Sequence, residues 1–346
     1  MLTIRNMPHQ MRLFVDATFP AISLLLLASM LGGWMVALAL TYMTIFIVGM
    51  DRITPPSIDE TQDPAKEAHK ISATLAMAHF ILLFYVIWAL SSTHLTLPEK
   101  IGLFIAGGLF LGQVSNANAH ELIHRPTRGL HRLGMWVYIS LLFGHHTSAH
   151  VLVHHTHVAT KADPNTSRKG EGFYAYALRA WAGSFRAGYK AEAAKLARID
   201  RALWRNPYLI YVGGALACLT LAFMLGGLKA LLIYIALAGN AQSQLLLSDY
   251  VQHYGLTRAT DDTGKPAPVG TQHSWNSPHW FSSALLLNAT RHSDHHAHPS
   301  RPYPALTIPK DAPMLPKPLP VMASIALFPP LWRRIMDPLA DRWKNA

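Results

Sequence analysis

The chain has 346 residues, of which 51% are apolar and only 14% charged, with a formal net charge of +11. That balance departs from the soluble average and makes a bilayer the expected solvent, while basic residues gathered beside apolar runs argue against a nucleic-acid partner. The single cysteine, Cys218, lies inside an apolar run, which excludes a disulfide framework, an iron–sulfur cluster or a CxxC knuckle, so any electrons must come from another protein.

In chain order, the apolar stretch from Phe14 to Met50 is too long for one crossing of ~20 residues and is broken by Gly32-Gly33, which predicts a tight hairpin of two helices. Further spans are predicted at about Ile71–Leu90, Ile101–Ala119, Pro207–Leu225 and Leu228–Ser248, each bounded by proline, glycine or charge. That makes six. Arg5 and Arg12 precede the first span, and Arg52, Lys66 and Lys70 lie between the second and third, whereas the turns at Gly32-Gly33, Ser91–Pro98 and Gly226-Gly227 carry almost no charge. Both termini are therefore expected on the cytoplasmic side. The stretch Leu133–Phe143 is too short to cross and is expected to be interfacial or re-entrant, since the histidines flanking it must reach the same face. Arg168–Arg205 carries nine Lys/Arg against three acids and reads as a membrane-surface helix meeting anionic headgroups. No cleavable signal is expected, since the first apolar segment is long and runs on into a second. The expected architecture is an all-α integral membrane protein with a cytoplasmic histidine-rich cap. Residues 1–252 would form the transmembrane domain, with a cytoplasmic insertion at 120–206, and 253–346 a cytoplasmic region completing the site.

Histidine carries the chemistry. Sixteen of the twenty fall within residues 120–157 and 253–298. Imidazole is a common neutral ligand for iron, zinc and copper, and side chains four apart share one helix face. His120 and His124 form such a pair. His150 and His154 form another, with His155 turned about a quarter-turn away and free to serve a second ion. His253 ends the last span, and His292, His295 and His296 recur at i, i+3 and i+4. These nine rings are too many for one ion and suit two metals with four or five ligands each, leaving positions open for oxygen. His120-Glu121-Leu-Ile-His124 also matches the HExxH pattern of zinc proteases, whose glutamate is a general base; the surplus of histidines speaks against that alternative. Glu121, Asp163, Asp249 and Asp294 are candidates to accept the outer N–H of a ligating ring, and His146 and His273 to stand beside the ligands. His9, His69, His79, His94 and His131 read as structural. Gly108 and Gly112 are expected at a helix contact or substrate channel, with Trp34 as a channel cap.

The string His120–Arg125, the run His150–Glu171 with Val158-Ala-Thr-Lys-Ala-Asp163-Pro164, the stretch Tyr250–Leu256, the motif His273-Ser-Trp275-Asn276-Ser277 and the block Arg291–Tyr303 resemble membrane-bound alkane 1-monooxygenases and the related xylene monooxygenases. The resemblance spans about residues 100–305. It implies a six-helix protein of the bacterial inner membrane with a non-haem di-iron site, using O2 and electrons from a rubredoxin or ferredoxin with its reductase. Carried over by motif, the iron ligands are His120, His124, His150, His154, His155, His253, His292, His295 and His296. The implied substrate is an apolar hydrocarbon hydroxylated at its terminal carbon. Alkane hydroxylases usually show Glu and Gly where Ala149 and Val153 stand, and Asn and Glu where Asp249 and Gln252 stand, so an alkyl-aromatic substrate stays open. Membrane desaturases and fatty-acid hydroxylases also carry several histidine motifs, with other spacing. A metal transporter would need charged residues within spans that here are nearly charge-free.

Overall fold

The computed structural model describes residues 8–53 and 65–344; Arg5 and the side chain of His9, both used above, lie outside them. The described residues are helical, without a β-strand beyond two isolated bridges. Four helices are long and apolar enough to cross a membrane: α1 (His9–Leu31), α3 (Ala65–Ser91), α4 (Leu97–Ile123) and α8 (Tyr208–His253); α2 (Trp34–Met50) is apolar but shorter. As one rod, the 46 residues of α8 would reach about 69 Å, more than twice a hydrocarbon core of ~30 Å. They do not form one rod. Gly226 and Gly227 leave helical geometry, Gly227 at a φ of +61°, and the arms fold back so that Cys218 of the first hydrogen-bonds Tyr234 of the second. The α1–α2 turn uses Gly32 and Gly33 in the same left-handed region, where a side chain on Gly32 would lie 2.7 Å from Leu95.

These turns meet at one end of the bundle. His94 Nε2 lies 3.0 Å from the Ser29 carbonyl, and Lys229 Nζ donates to the Ser91 carbonyl at 2.6 Å. The C-terminal ends of α4 and α8, with His120 and His253, therefore lie together at the other. Between them the chain makes a re-entrant excursion. Helix α5 (Arg128–Ser140) runs back along the end of α4, with Gly134 against Leu122 and the Ala119 carbonyl, until Ser140 meets His79 of α3 at 2.8 Å and its carbonyl accepts from Tyr234 at 2.6 Å. It turns at Leu142, whose φ is +56°, and returns as α6 (146–157). Thirteen residues reach about 20 Å, enough to enter the bundle but not to cross it.

Helix α7 (Phe173–Arg198) buries Phe173, Tyr176, Ala180, Ser184 and Gly188, and leaves Tyr174, Leu178, Trp181, Phe185 and Tyr189 exposed between basic residues. That amphipathic face is what a helix lying at a lipid surface presents. Four short helices close the histidine end: α9 (Trp280–Leu285), α10 (His292–Ala297), α11 (Leu319–Ala326) and α12 (Pro329–Lys344). Asp51, at the end of α2, caps α9 by accepting from the Phe281 and Ser282 amides at 2.9 and 3.0 Å. Trp332 of α12 is buried against Tyr250 of α8 and Tyr254 just beyond its end.

Candidate metal centre

Nine histidines converge in two adjacent groups. His120, His124, His150, His155 and His295 form one and His154, His253, His292 and His296 the other, with the facing nitrogens of each group all within 4.8 Å of one another. Their local helices decide the partition. Residues 150–154 form a π-turn in which the His155 N–H bonds the His150 carbonyl. Five residues per bonded turn, rather than four, bring the His150 and His155 Nε2 atoms to 2.9 Å and send His154 the other way. The i, i+4 pairing expected for His150 and His154 is thus replaced by an i, i+5 pair. In α10, His292 and His296 do pair at i, i+4, with Nε2 atoms 3.2 Å apart, while His295 crosses to the first group at 3.1 Å from His155.

The donor set fits a cation. His150 Nε2 lies 2.7 Å from His120 Nε2 and 2.9 Å from His155 Nε2, yet a neutral ring nitrogen offers one proton or one lone pair and cannot satisfy both contacts. A shared ion satisfies all the lone pairs at once. Ligand nitrogens ~2.1 Å from an octahedral ion stand about 3 Å apart along each edge, near the spacing seen here. Most of the rings also resist protonation. Burial first, then neighbouring rings, hold His124, His150, His155, His292, His295 and His296 well below the ordinary range. For His154 burial pushes the pKa down, but the Asp163 carboxylate, 2.8 Å from Nδ1, outweighs it and raises the pKa. That bond leaves His154 Nε2, buried and without a partner, as the atom facing the second group.

The other candidate residues divide sharply. Asp163 is held behind His154 by Thr166 Oγ1 at 2.7 Å and the Asn165 amide at 3.0 Å. Asp249 accepts from Asn165 Nδ2 at 2.7 Å rather than from a ring of either group. Asp294, also buried, bonds Arg301, His298 and Thr307 instead of a ring of either group and anchors the segment after α10. Glu121 pairs with Arg125 at 3.4 Å and belongs to neither histidine group. His273 contributes its backbone carbonyl, 3.3 Å from His253 Nδ1, while its own Nδ1 accepts from Gly270. The His146 ring stands 4.9 Å from that of His150. Sequence reasoning passed over Asn165 and Arg125, although Arg125 ties α4 to the carbonyls of Ser300 and Arg301; both make contacts at long sequence separation that no spacing announces.

A cavity of about 290 Å³ opens beside the rings, bounded at its metal end by His120, from one group, and His292, from the other. Its walls come from α4, the second arm of α8, and α11. Gly112 lines it, and a side chain there would come within 2.3 Å of the Gln244 amide. Gly108 offers its carbonyl to the same amide at 2.9 Å. Trp34 is 84% exposed at the far turn, about a full helix length from the histidines, and lies outside this lining.

Residues 95–319 match the fatty acid desaturase family. The chain is 32% identical over 300 residues to alkane 1-monooxygenase 2 of Pseudomonas aeruginosa, covering 84% of this chain and 79% of the relative. It belongs to the alkane 1-monooxygenase family. Alkane 1-monooxygenase 1 of Alcanivorax borkumensis is 31% identical over 306 residues, covering 86% of this chain and 74% of that one. The xylene/toluene monooxygenase hydroxylase component XylM of Pseudomonas putida is 32% identical over a shorter 218 residues, 62% of this chain and 57% of the relative. For a member of the alkane 1-monooxygenase family, Ala149 has a local reason. A side chain on Gly188 of α7 would lie only 3.0 Å from the Ala149 Cβ, so a glutamate at 149 would force α7 away from α6.

Proposed function

We propose that this protein is a di-iron monooxygenase that hydroxylates the terminal carbon of a medium- or long-chain alkane to the 1-alkanol. It uses O2 and electrons from a rubredoxin- or ferredoxin-type partner with its reductase. The observation that carries the reading is the pair of imidazole groups, five and four rings, side by side at the closed end of a cavity between apolar helices. His120, His124, His150, His155 and His295 would hold one iron and His154, His253, His292 and His296 the other. Bound there, the irons supply O2 activation. The chain's own residues do the rest. Asp163 fixes the tautomer of His154, the His273 carbonyl orients His253, and α9 to α12 cover the rings and keep bulk water out. The cavity presents one end of a chain between His120 and His292, which favours a terminal carbon.

We further infer six spans, both termini and the histidine cap on the cytoplasmic side, in a bacterial inner membrane. The split of α8 and the gathering of the three glycine or serine turns opposite the histidines support this. An apolar substrate already partitions into such a membrane and can enter between helices. The match to XylM favours a benzylic methyl group as the second substrate class. Purified protein in lipid nanodiscs, supplied with electron donor and O2, is expected to contain about two irons per chain and to add one oxygen to dodecane. A new double bond in the product would make it a desaturase. One zinc per chain with peptidase activity would reverse the assignment, and preference for p-xylene over dodecane would select the aromatic reading.

A further inference from the structure

The cavity ending at His120 and His292 is not lined as an alkane alone requires. On its α8 wall Asn240, Gln244 and Ser248 recur at every fourth residue, and Gln113 and Asn116 face them from α4. Part of this polar surface is tied down: Asn116 Nδ2 donates to the Gly112 and Ala241 carbonyls at 2.9 and 2.8 Å, and Gln244 Nε2 to the Gly108 carbonyl at 2.9 Å and Asn240 Oδ1 at 2.6 Å. Part is not. Gln113 Oε1 is buried without a partner, and on the half-buried Asn240 and Gln244 the Nδ2 and Oε1 atoms make no hydrogen bond among the described residues, leaving them open to the cavity. Within the hydrocarbon region unpaired amide groups are costly, because no bulk water reaches them, and a saturated chain cannot satisfy them. Gln113 sits about 10 Å along α4 from His120, and Asn240 and Gln244 about 18 and 12 Å along α8 from Gln252. The lining contains acceptors and donors but no Lys or Arg, and Asp249 is its one carboxylate, so the group it matches is neutral and both donates and accepts. That is a hydroxyl and not a carboxylate.

We propose that the cavity binds medium-chain primary alcohols with the hydroxyl held by Gln113, Asn240 and Gln244 and the far methyl at the histidines, and that the product is the α,ω-diol. The inference rests on the hydroxylase reading and specifies its substrate. In balance, the terminal C–H becomes C–OH with one atom of O2. The other atom leaves as water, formed with two protons and two electrons from the same one-electron carrier. The alcohol made from an alkane in one turnover, bound in the reverse sense, is the substrate of the next.

The test uses the iron-loaded protein in nanodiscs with its electron donor, given dodecan-1-ol or dodecane, with products and KM values read by gas chromatography and mass spectrometry. The α,ω-diol is expected from the alcohol, with a KM below that of dodecane. Asn240→Leu and Gln113→Met should each shift the ratio of the two KM values by about tenfold against the alcohol, the effect of one lost hydrogen bond. Leu232→Ala, on the exposed face of the same arm, should leave the ratio where it was. A purely structural defect would raise both KM values together, and that result overturns the proposal. So does formation of dodecanal, or no product from the alcohol while dodecane is hydroxylated; the hydroxylase reading then stands. Oxidation of neither compound by protein carrying two irons overturns both.

Discussion

Asp163 shows how one side chain can set the quality of a metal site it does not enter. Its carboxylate accepts from His154 Nδ1 and is itself fixed by Thr166 and the Asn165 amide, so the ring cannot rotate without breaking its bond to a carboxylate that two further bonds hold in place. Asp163→Ala releases the ring and removes the charge that makes it a better donor. Metal affinity of the group containing His154 is expected to fall about 10–100-fold, with the other group little changed. Competitive chelator titration with metal analysis reads this as loss of one ion before the other; simultaneous loss of both would show that Asp163 serves the whole fold. Asp163 stands nine residues from His154, close enough for sequence to nominate it. The same nearness nominates Asp294, but that buried carboxylate bonds Arg301, His298 and Thr307 rather than a ring of either group, and nearness alone cannot tell the two arrangements apart.

Among elements, the apolar runs and glycine breaks of the long helices were legible because burial in lipid needs a continuous apolar stretch and a hairpin needs a residue at positive φ. The helices overrun the predicted bounds, α4 covering 97–123 against an expected 101–119, because the Thr96–Glu99 capping box and the polar segment carrying His120 continue the same hydrogen bonding. That the nine rings share one end was also legible from spacing and span parity. Their partition was not, since it depends on a π-turn whose sequence, His150-Val-Leu-Val-His154, reads equally well as an α-helix. The re-entrant helix offers the sharpest test at this scale. A Cβ on Gly134 would meet Leu122 Cβ at 2.7 Å and the Ala119 carbonyl at 2.8 Å, beside His120, whereas one on Gly129 in the same helix meets nothing within 4 Å. Gly134→Val should therefore lower stability by about 1–3 kcal/mol and reduce metal occupancy, while Gly129→Ala should raise stability by about 0.5–1 kcal/mol. Thermal unfolding in nanodiscs separates them; equal shifts of one sign would mean that α5 does not press on α4.

For the molecule as a whole, the nine gathered rings make folding, acid and metal one equilibrium. Burial and then mutual repulsion hold His150, His155, His292, His295 and His296 below their ordinary pKa. The unfolded chain takes up protons below about pH 6.5 that the folded chain refuses. Their contribution to stability is thus complete above that pH and is lost as pH falls toward the lowered folded values. His154 has the opposite sign, since Asp163 raises it on balance, so its contribution is present at low pH and lost as pH climbs through the raised value. The rings held low, His124 among them, outnumber it. Metal-free protein is expected to melt at a lower temperature at about pH 5.5 than at about pH 7.5, outside the range where most carboxylates titrate. Ferrous ion should raise the melting temperature at both, by the equivalent of about 2.7 kcal/mol when free metal exceeds Kd a hundredfold. Because a ligating nitrogen must shed its proton first, apparent metal affinity should weaken on acidification and iron should leave as the protein melts. A metal-free melting temperature that stays level between those two pH values would mean the rings are solvated and charged already in the folded chain, and a cluster of that kind could not present neutral nitrogens to two cations.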